Sequence, residues 1–253
     1  MSPLQQEAEW AYQTALGKGL ILPEDTAVLF HSWQAHHQYL THLSEAFAHP
    51  QALHAVAIKT QPHRDILKQV VAWGFGLEAA SMEEVQLALK AGCPSSRIVF
   101  DSPVKTREEI AFCQAQLPGI RFNVNSLEEL SRLPVDPNFP VGIRINPMVE
   151  TGAPSVYHVS HNESKFGVPL AEREAILDAV MQFPVVQLHV HSGSSMARID
   201  SAVEAIASVV ALAKEANLRL ASAGLSRRIE TIDIGGGLLP EVLGNATSKM
   251  EAY

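Results

Sequence analysis

From about residue 27 onward, short apolar segments rich in β-branched residues alternate with longer amphipathic stretches of helical spacing. The short segments read as strands: Ala27–Phe30, His54–Lys59, Gly76–Ala80, Arg97–Asp101, Arg121–Asn125, Val141–Asn146, Val186–His191 and Thr231–Gly235. Helical patterns fall between them, as at Asp65–Trp73, Ser81–Ala91, Thr106–Gln116 and Asp200–Ala216. Ser81 with Glu84 three residues on is a capping box, and Gly92 stops the helix that it starts. Strand-helix alternation implies parallel strands with helical crossovers. The early units recur about every 20 to 25 residues, the period of a (β/α)8 TIM-type barrel. The longest irregular stretch is Pro147–Pro169, and loops of that length are often functional.

Residues 1–26 read as a lead-in of helix and loop, and residues 27–253 as the barrel domain. With Ala27–Phe30 set aside, the pattern holds about seven strands, one short of a closed barrel. The barrel is therefore expected to be incomplete at its C-terminal end, where Ser248–Tyr253 reads as the start of a helix. An open seventh strand would expose unpaired backbone groups, which suggests an N-terminal portion of a longer protein.

Alternate residues of a barrel strand face the interior or the helix layer. Ile232 and Ile234 share one face of their segment, and Thr231, Asp233 and Gly235 the other. Leu188 and Val190 oppose Gln187, His189 and His191. Ile143 and Ile145 oppose Gly142, Arg144 and Asn146. Glu78 lies with Gly76 and Ala80, and Lys59 with Ala55 and Ala57. If the aliphatic faces meet the helices, the other faces gather Lys59, Glu78, Arg144, His189, His191 and Asp233 at the C-terminal ends of the strands. Barrel enzymes carry their active sites there. Ala55, Ala57 and Gly142 would leave room for a ligand.

Composition narrows the partners. The 253 residues are 47% hydrophobic and 18% charged, with a net charge of -8. That is soluble globular composition. The acidic balance argues against nucleic acid, which needs a basic surface. No stretch approaches the roughly 20 apolar residues that span a bilayer. The polar start, Met1–Trp10, lacks the pattern of a signal peptide. A cytoplasmic protein with no membrane partner is expected. Cys93 and Cys113 form no CxxC pattern, so they read as reduced structural thiols, and no metal site is expected.

Three segments carry candidate chemistry. Lys59 ends the apolar run His54–Ile58, and lost hydration would favour its neutral, nucleophilic amine; the alternative is a lysine emerging into solvent as its strand ends. Asp233-Ile-Gly-Gly-Gly237 follows a strand, and bare glycines let backbone N–H groups approach a phosphate. It matches neither a Rossmann fingerprint nor a Walker loop, and a flexible turn is the alternative. His189-Val-His191-Ser-Gly-Ser194 ends another strand. An inward imidazole there could stack on a flat cofactor and Ser194 could donate to a phosphate, while a metal pair or a core histidine are the other readings. His31, His36, His37 and His42 lack helical zinc spacing and read as surface residues.

Taken in order, these segments resemble the alanine-racemase-like, fold-type III pyridoxal-phosphate enzymes, above all the diaminopimelate and ornithine/arginine decarboxylases. The carrying segments are Val56-Ala-Ile-Lys59 with Thr60-Gln-Pro62, Gly76-Leu-Glu-Ala-Ala-Ser81 and Arg97-Ile-Val-Phe100. Ile143-Arg-Ile-Asn-Pro147, Glu163-Ser-Lys-Phe-Gly167, His191-Ser-Gly-Ser194 and Asp233-Ile-Gly-Gly-Gly237 follow. The resemblance implies that Lys59 holds pyridoxal 5'-phosphate as a Schiff base and later moves protons. It implies that His191 stacks on the cofactor ring and that Arg144 supports it. Ser194 and the backbone of Gly235, Gly236 and Gly237 would hold the phosphate. Glu78 stands where the family usually has Asp, and Ala55 or His54 where it has Tyr. Lys165 matches a motif lysine and receives no catalytic role.

The reaction implied is decarboxylation of an amino acid, diaminopimelate or a basic one, in a homodimer that shares its active site. The family's Glu-Pro-Gly-Arg strand and C-terminal β domain are not in this chain, so the chain alone is not expected to turn over substrate. A racemase, another pyridoxal-phosphate enzyme on the same barrel, or a cofactor-binding protein without turnover are the alternatives.

Overall fold

The computed structural model describes residues 3–133, 136–149, 164–193 and 199–237. The chain divides into two compact units, residues 1–45 and 46–253. The first holds helix α1 (Pro3–Gly17) and nearly all of α2 (Trp33–Ala46). The expected strand Ala27–Phe30 is not one: it is irregular chain with Leu29 86% exposed. An apolar run without a neighbouring strand to pair with gains no ladder hydrogen bonds. In this unit His36 Nδ1 lies 3.3 Å from His31 Nε2, and His37 and His42 are exposed.

The second unit alternates strand and helix. Its strands are β1 (Ala55–Ala57), β2 (Gly76–Ala79), β3 (Ile98–Phe100), β4 (Arg121–Val124), β5 (Val141–Asn146), β6 (Val168–Pro169), β7 (Val185–Val190) and β8 (Thr231–Asp233). Its helices are α3 (Arg64–Ala72), α4 (Met82–Lys90), α5 (Arg107–Gln116), α6 (Leu127–Ser131), α7 (Arg173–Gln182) and α8 (Ile199–Ser222). Among the described residues one sheet runs β1-β2-β3-β4-β5-β7-β8, with β6 paired to β5 alone, and every pairing is parallel. This is the α/β barrel architecture, open between β8 and β1 among those residues. No helix among them is long and apolar enough to cross a membrane.

Local chemistry fixes the helix starts. The Ser81 hydroxyl accepts from Glu84 N, so half of the box read from sequence forms at α4, while Glu84 Oε2 accepts from Ala80 N, one residue before the cap. Thr106 and Glu109 make the full reciprocal box at α5. Gly92, at φ +85°, lets Cys93 N reach back to Ala88 O as α4 ends.

Register then decides the faces. Leu77, Ile98, Phe100, Phe122, Ile143, Ile145 and Leu188 are buried on the aliphatic face. Leu67, Val85, Ile110, Leu177 and Leu212 are buried on the helices. The opposite face pairs in layers across the sheet, Asn123 with Gly142 and Gln187 with Thr231, then Arg144 with His189 and His189 with Asp233. The two cysteines are free and buried, and burial pushes the Cys113 thiol up to about 12.

Candidate active site

β1 stops at Ala57, and a single 3-10 turn, Ile58–Thr60, carries the chain off the sheet. The Thr60 hydroxyl closes that turn on Ala57 O at 2.7 Å. Ile58 is fully buried beneath it, while the Lys59 side chain rises to the rim and stays 48% exposed. The sheltered amine expected from the sequence is therefore corrected: Lys59 is half in water, because the strand ends two residues before it. Its Nζ lies 3.5 Å from Glu78 Oε2, on the neighbouring strand β2. Burial raises the pKa of Glu78, partly offset by the Lys59 charge. The other oxygen, Glu78 Oε1, is buried with no hydrogen-bond partner.

Across the mouth, His191 follows β7 and accepts a long hydrogen bond at Nδ1 from Gly236 N–H, 3.4 Å away. Burial, then the charges of Arg144, His189 and Lys59, lower its pKa to about 3. His191 is therefore a neutral ring at any working pH. Lys59 and the glycine turn both follow the C-terminal ends of parallel strands of one sheet, β1 and β8, and so lie on the same rim.

Gly235 adopts φ +65°, and its amide donates to Asp233 Oδ1 at 3.0 Å. The Gly235 amide is thus engaged within the turn, and the Gly236 amide by His191. A Cβ on Gly236 would meet nothing within 4 Å, so that residue borders open space. A Cβ on Gly235 would lie 2.5 Å from Val190 O in a left-handed conformation. Gly235→Ala is expected to lower stability by about 1–3 kcal/mol and to weaken cofactor binding at the turn. Urea unfolding and a cofactor titration check this; unchanged values in both would contradict it.

Arg144, His189 and Asp233 lie just below this rim, with Asp101 among them. Arg144 Nη1 is 3.0 Å from Asp101 Oδ2. His189 Nε2 is 3.2 Å from the same oxygen, and its Nδ1 is 3.0 Å from Asp233 Oδ2. Both contacts are ion pairs off the line of an ideal hydrogen bond. Burial alone would lower the pKa of His189, but the two carboxylates outweigh it and raise it to about 10. Burial likewise opposes ionisation of Asp101, yet His189 and Arg144 hold its carboxyl well below the usual range. Below these, Gln187 Nε2 donates to Asn123 Oδ1 at 2.6 Å, and Asn123 Nδ2 to Asp233 Oδ2 at 3.3 Å.

The Ser164–Gly167 part of the Glu163 motif docks on the end of β4. Asn125 Nδ2 donates to Lys165 O at 2.8 Å, and Gly167 N–H returns to Asn125 Oδ1 at 3.0 Å. Phe166 is thereby set 4.7 Å from the Arg144 guanidinium, in cation–π range. Ser194, Glu163 and residues 248–253 lie outside the described residues.

The structure thus brings Lys59 to Glu78, and His191 to Gly236 and the Arg144 group. Asp101, Asn123 and Asn125 were not singled out from sequence. The sorting rule held their signal, since Asp101 follows Val99 by two residues, and Asn123 and Asn125 alternate with Phe122 and Val124.

An open parallel barrel with an amine, a neutral imidazole and a glycine turn on its C-terminal rim defines a cofactor-binding barrel of the pyridoxal-phosphate class. Residues 34–253 match the family described as "Pyridoxal-dependent decarboxylase, pyridoxal binding domain", and the chain belongs to that family. It is 30% identical over 192 residues to a diaminopimelate decarboxylase of Pseudomonas fluorescens, covering 72% of this chain and 44% of that one. It is 31% identical over 199 residues to the diaminopimelate decarboxylase of Aquifex aeolicus, covering 76% and 46%. The crystal structure of the diaminopimelate decarboxylase of Helicobacter pylori, complexed with L-lysine, superposes with a TM-score of 0.71 at 28% identity. That match covers 85% of this chain and 55% of the other. The chain spans about half the length of the relatives it matches.

The rim fits pyridoxal phosphate: an accessible primary amine for the aldehyde, open space at Gly236 beside a neutral ring, and a buried carboxylate oxygen lacking a partner.

Proposed function

We propose that this chain carries the cofactor half of a pyridoxal-phosphate-dependent amino-acid decarboxylase, acting on diaminopimelate or a basic amino acid. The single observation that carries the reading is the Lys59 amine, 3.5 Å from Glu78, on the rim that also holds His191 and the glycine turn. Lys59 supplies the amine that attaches the cofactor. Glu78, 3.5 Å away, is the neighbouring group through which a proton could pass to or from Lys59 Nζ. Burial holds the pKa of Glu78 above its ordinary value, with the Lys59 charge opposing. His191 offers an uncharged face for a flat ring. Ser194 and the Gly237 backbone would seat the phosphate, joined by the Gly236 N–H if it gave up its long bond to His191, and Gly235 shapes the turn. Pyridoxal phosphate, when bound, is the electron sink for the carbanion left as carbon dioxide departs. The remaining length of the relatives supports a site completed by further chain, in a cytoplasmic homodimer as the family resemblance implies.

Carbon dioxide release from purified protein, supplied with cofactor and a panel of L- and D-amino acids, tests the reading. Release from diaminopimelate, lysine, ornithine or arginine supports it. Enantiomer interconversion without carbon dioxide, or protein that forms no Schiff base with the cofactor, overturns it.

A further inference from the structure

Asp101 has no part in the reading above, yet it sits at the centre of the buried charge. It lies just past the end of β3, 7% exposed, and one oxygen contacts both Arg144 Nη1 at 3.0 Å and His189 Nε2 at 3.2 Å. The opposite ring nitrogen of His189 faces Asp233 Oδ2 at 3.0 Å. Asp233 in turn accepts the Gly235 amide through Oδ1 at 3.0 Å. A neutral imidazole has one N–H and can donate to one carboxylate; only the imidazolium serves both.

We propose that Asp101 is a positioning residue for the glycine turn: through a protonated His189 it anchors Asp233, and Asp233 holds the turn at Gly235. The proposal rests on the reading that this rim seats pyridoxal phosphate. Asp101 touches no cofactor atom in this scheme. It acts through two intervening side chains, and Arg144 fixes its own orientation from the other side.

The charges around His189 balance in its favour. Asp101 from β3, Asp233 from β8 and Glu78 from β2 face it as acids. Arg144 from β5, which shares Asp101 Oδ2, is the cation near it, and His191, just past the end of its strand, is a neutral ring. Asn123 from β4 is neutral and donates to Asp233. With both acids in place, His189 titrates at about 10, against an ordinary value of 6.5. The sign follows: the bridge is intact at neutral pH and is lost as pH rises through about 10. Removing the Asp101 charge leaves His189 one carboxylate and an unpaired Arg144 beside it. Its titration then drops into the neutral range.

The first test is nitrogen NMR of the histidine rings in cofactor-free protein. In the wild type both His189 nitrogens should stay protonated from about pH 6 to 9, and in Asp101→Asn they should titrate near about pH 7–8. The second is the dissociation constant for pyridoxal phosphate, read by absorbance at the same pH values. Between pH 6.5 and 9, Asp101→Asn should weaken binding about tenfold more than the wild type weakens. A neutral His189 in the wild type at pH 7 overturns the proposal, and needs no variant to fold. So does an Asp101→Asn profile parallel to the wild type's. Wild-type protein that binds no cofactor at any pH sinks the functional reading instead, an outcome distinct from the other two.

Discussion

Lys59→Ala is expected to abolish covalent capture of pyridoxal phosphate. The size of the effect follows from the absence of a substitute on the rim among the described residues. Lys105 is 3% exposed and its amine already serves three acceptors, so it cannot reach an aldehyde on the rim. Lys165 Nζ lies 5.2 Å from the Phe166 ring, on the loop docked at β4. The fold should survive, because Lys59 is half exposed and Ile58, not Lys59, fills the core. Lys59→Arg separates charge from chemistry: it keeps a cation beside Glu78 but no amine that condenses with an aldehyde. An absorbance band near the visible edge, present in the wild type and missing from both variants, is the expected pattern. A band of full strength in either variant contradicts it.

Lys105→Met is expected to cost about 3–5 kcal/mol of stability, with no direct contact to the rim. Lys105 Nζ donates to Ser102 O at 2.8 Å, Asn123 O at 2.6 Å and Glu129 Oε1 at 2.9 Å. Those acceptors tie the ends of β3 and β4 to α6, and the amine lies 4.9 Å from the Phe122 ring. Burial lowers the pKa of Lys105 and the Glu129 carboxylate opposes it. Removing the lysine leaves Glu129 with its bond to Asn125 N and no counter-charge. A second change, Glu129→Leu, should restore a large part of the loss, because the penalty is an unpaired buried charge. Urea unfolding of the two single variants and the double closes the cycle. A loss below about 1 kcal/mol in Lys105→Met would mean the pair is not buried as described.

The barrel was legible because strands such as β4, β5 and β8 alternate. Ile143 and Ile145 against Gly142 and Arg144 is a period-two pattern that only one orientation satisfies, and β5 has the bounds read from sequence. Elsewhere the strands end one or two residues early, before Ile58-Lys59, Ala80, Asp101, Asn125, His191 and Ile234-Gly235. That shortfall matters at Lys59, which the turn at Ile58–Thr60 turns out to the rim. Ala27–Phe30 misled because its composition suits a strand, whereas strand formation needs a neighbour. Asp101 was hidden by the run Ile98-Val99-Phe100 before it; its importance comes from Arg144 and His189, 43 and 88 positions away in the chain, and such pairings leave no local pattern. Lys105 and Glu129 escaped for the same reason, as each alone looks like a solvated charge.

The central claim is that the amine at position 59, and no other, attaches the cofactor. Wild-type protein incubated with pyridoxal phosphate, reduced with borohydride and digested, gives peptides whose masses report every modified lysine. The account predicts a stoichiometric pyridoxyl adduct on the peptide containing Lys59. An adduct spread over surface lysines, or one concentrated at a different position, would contradict it.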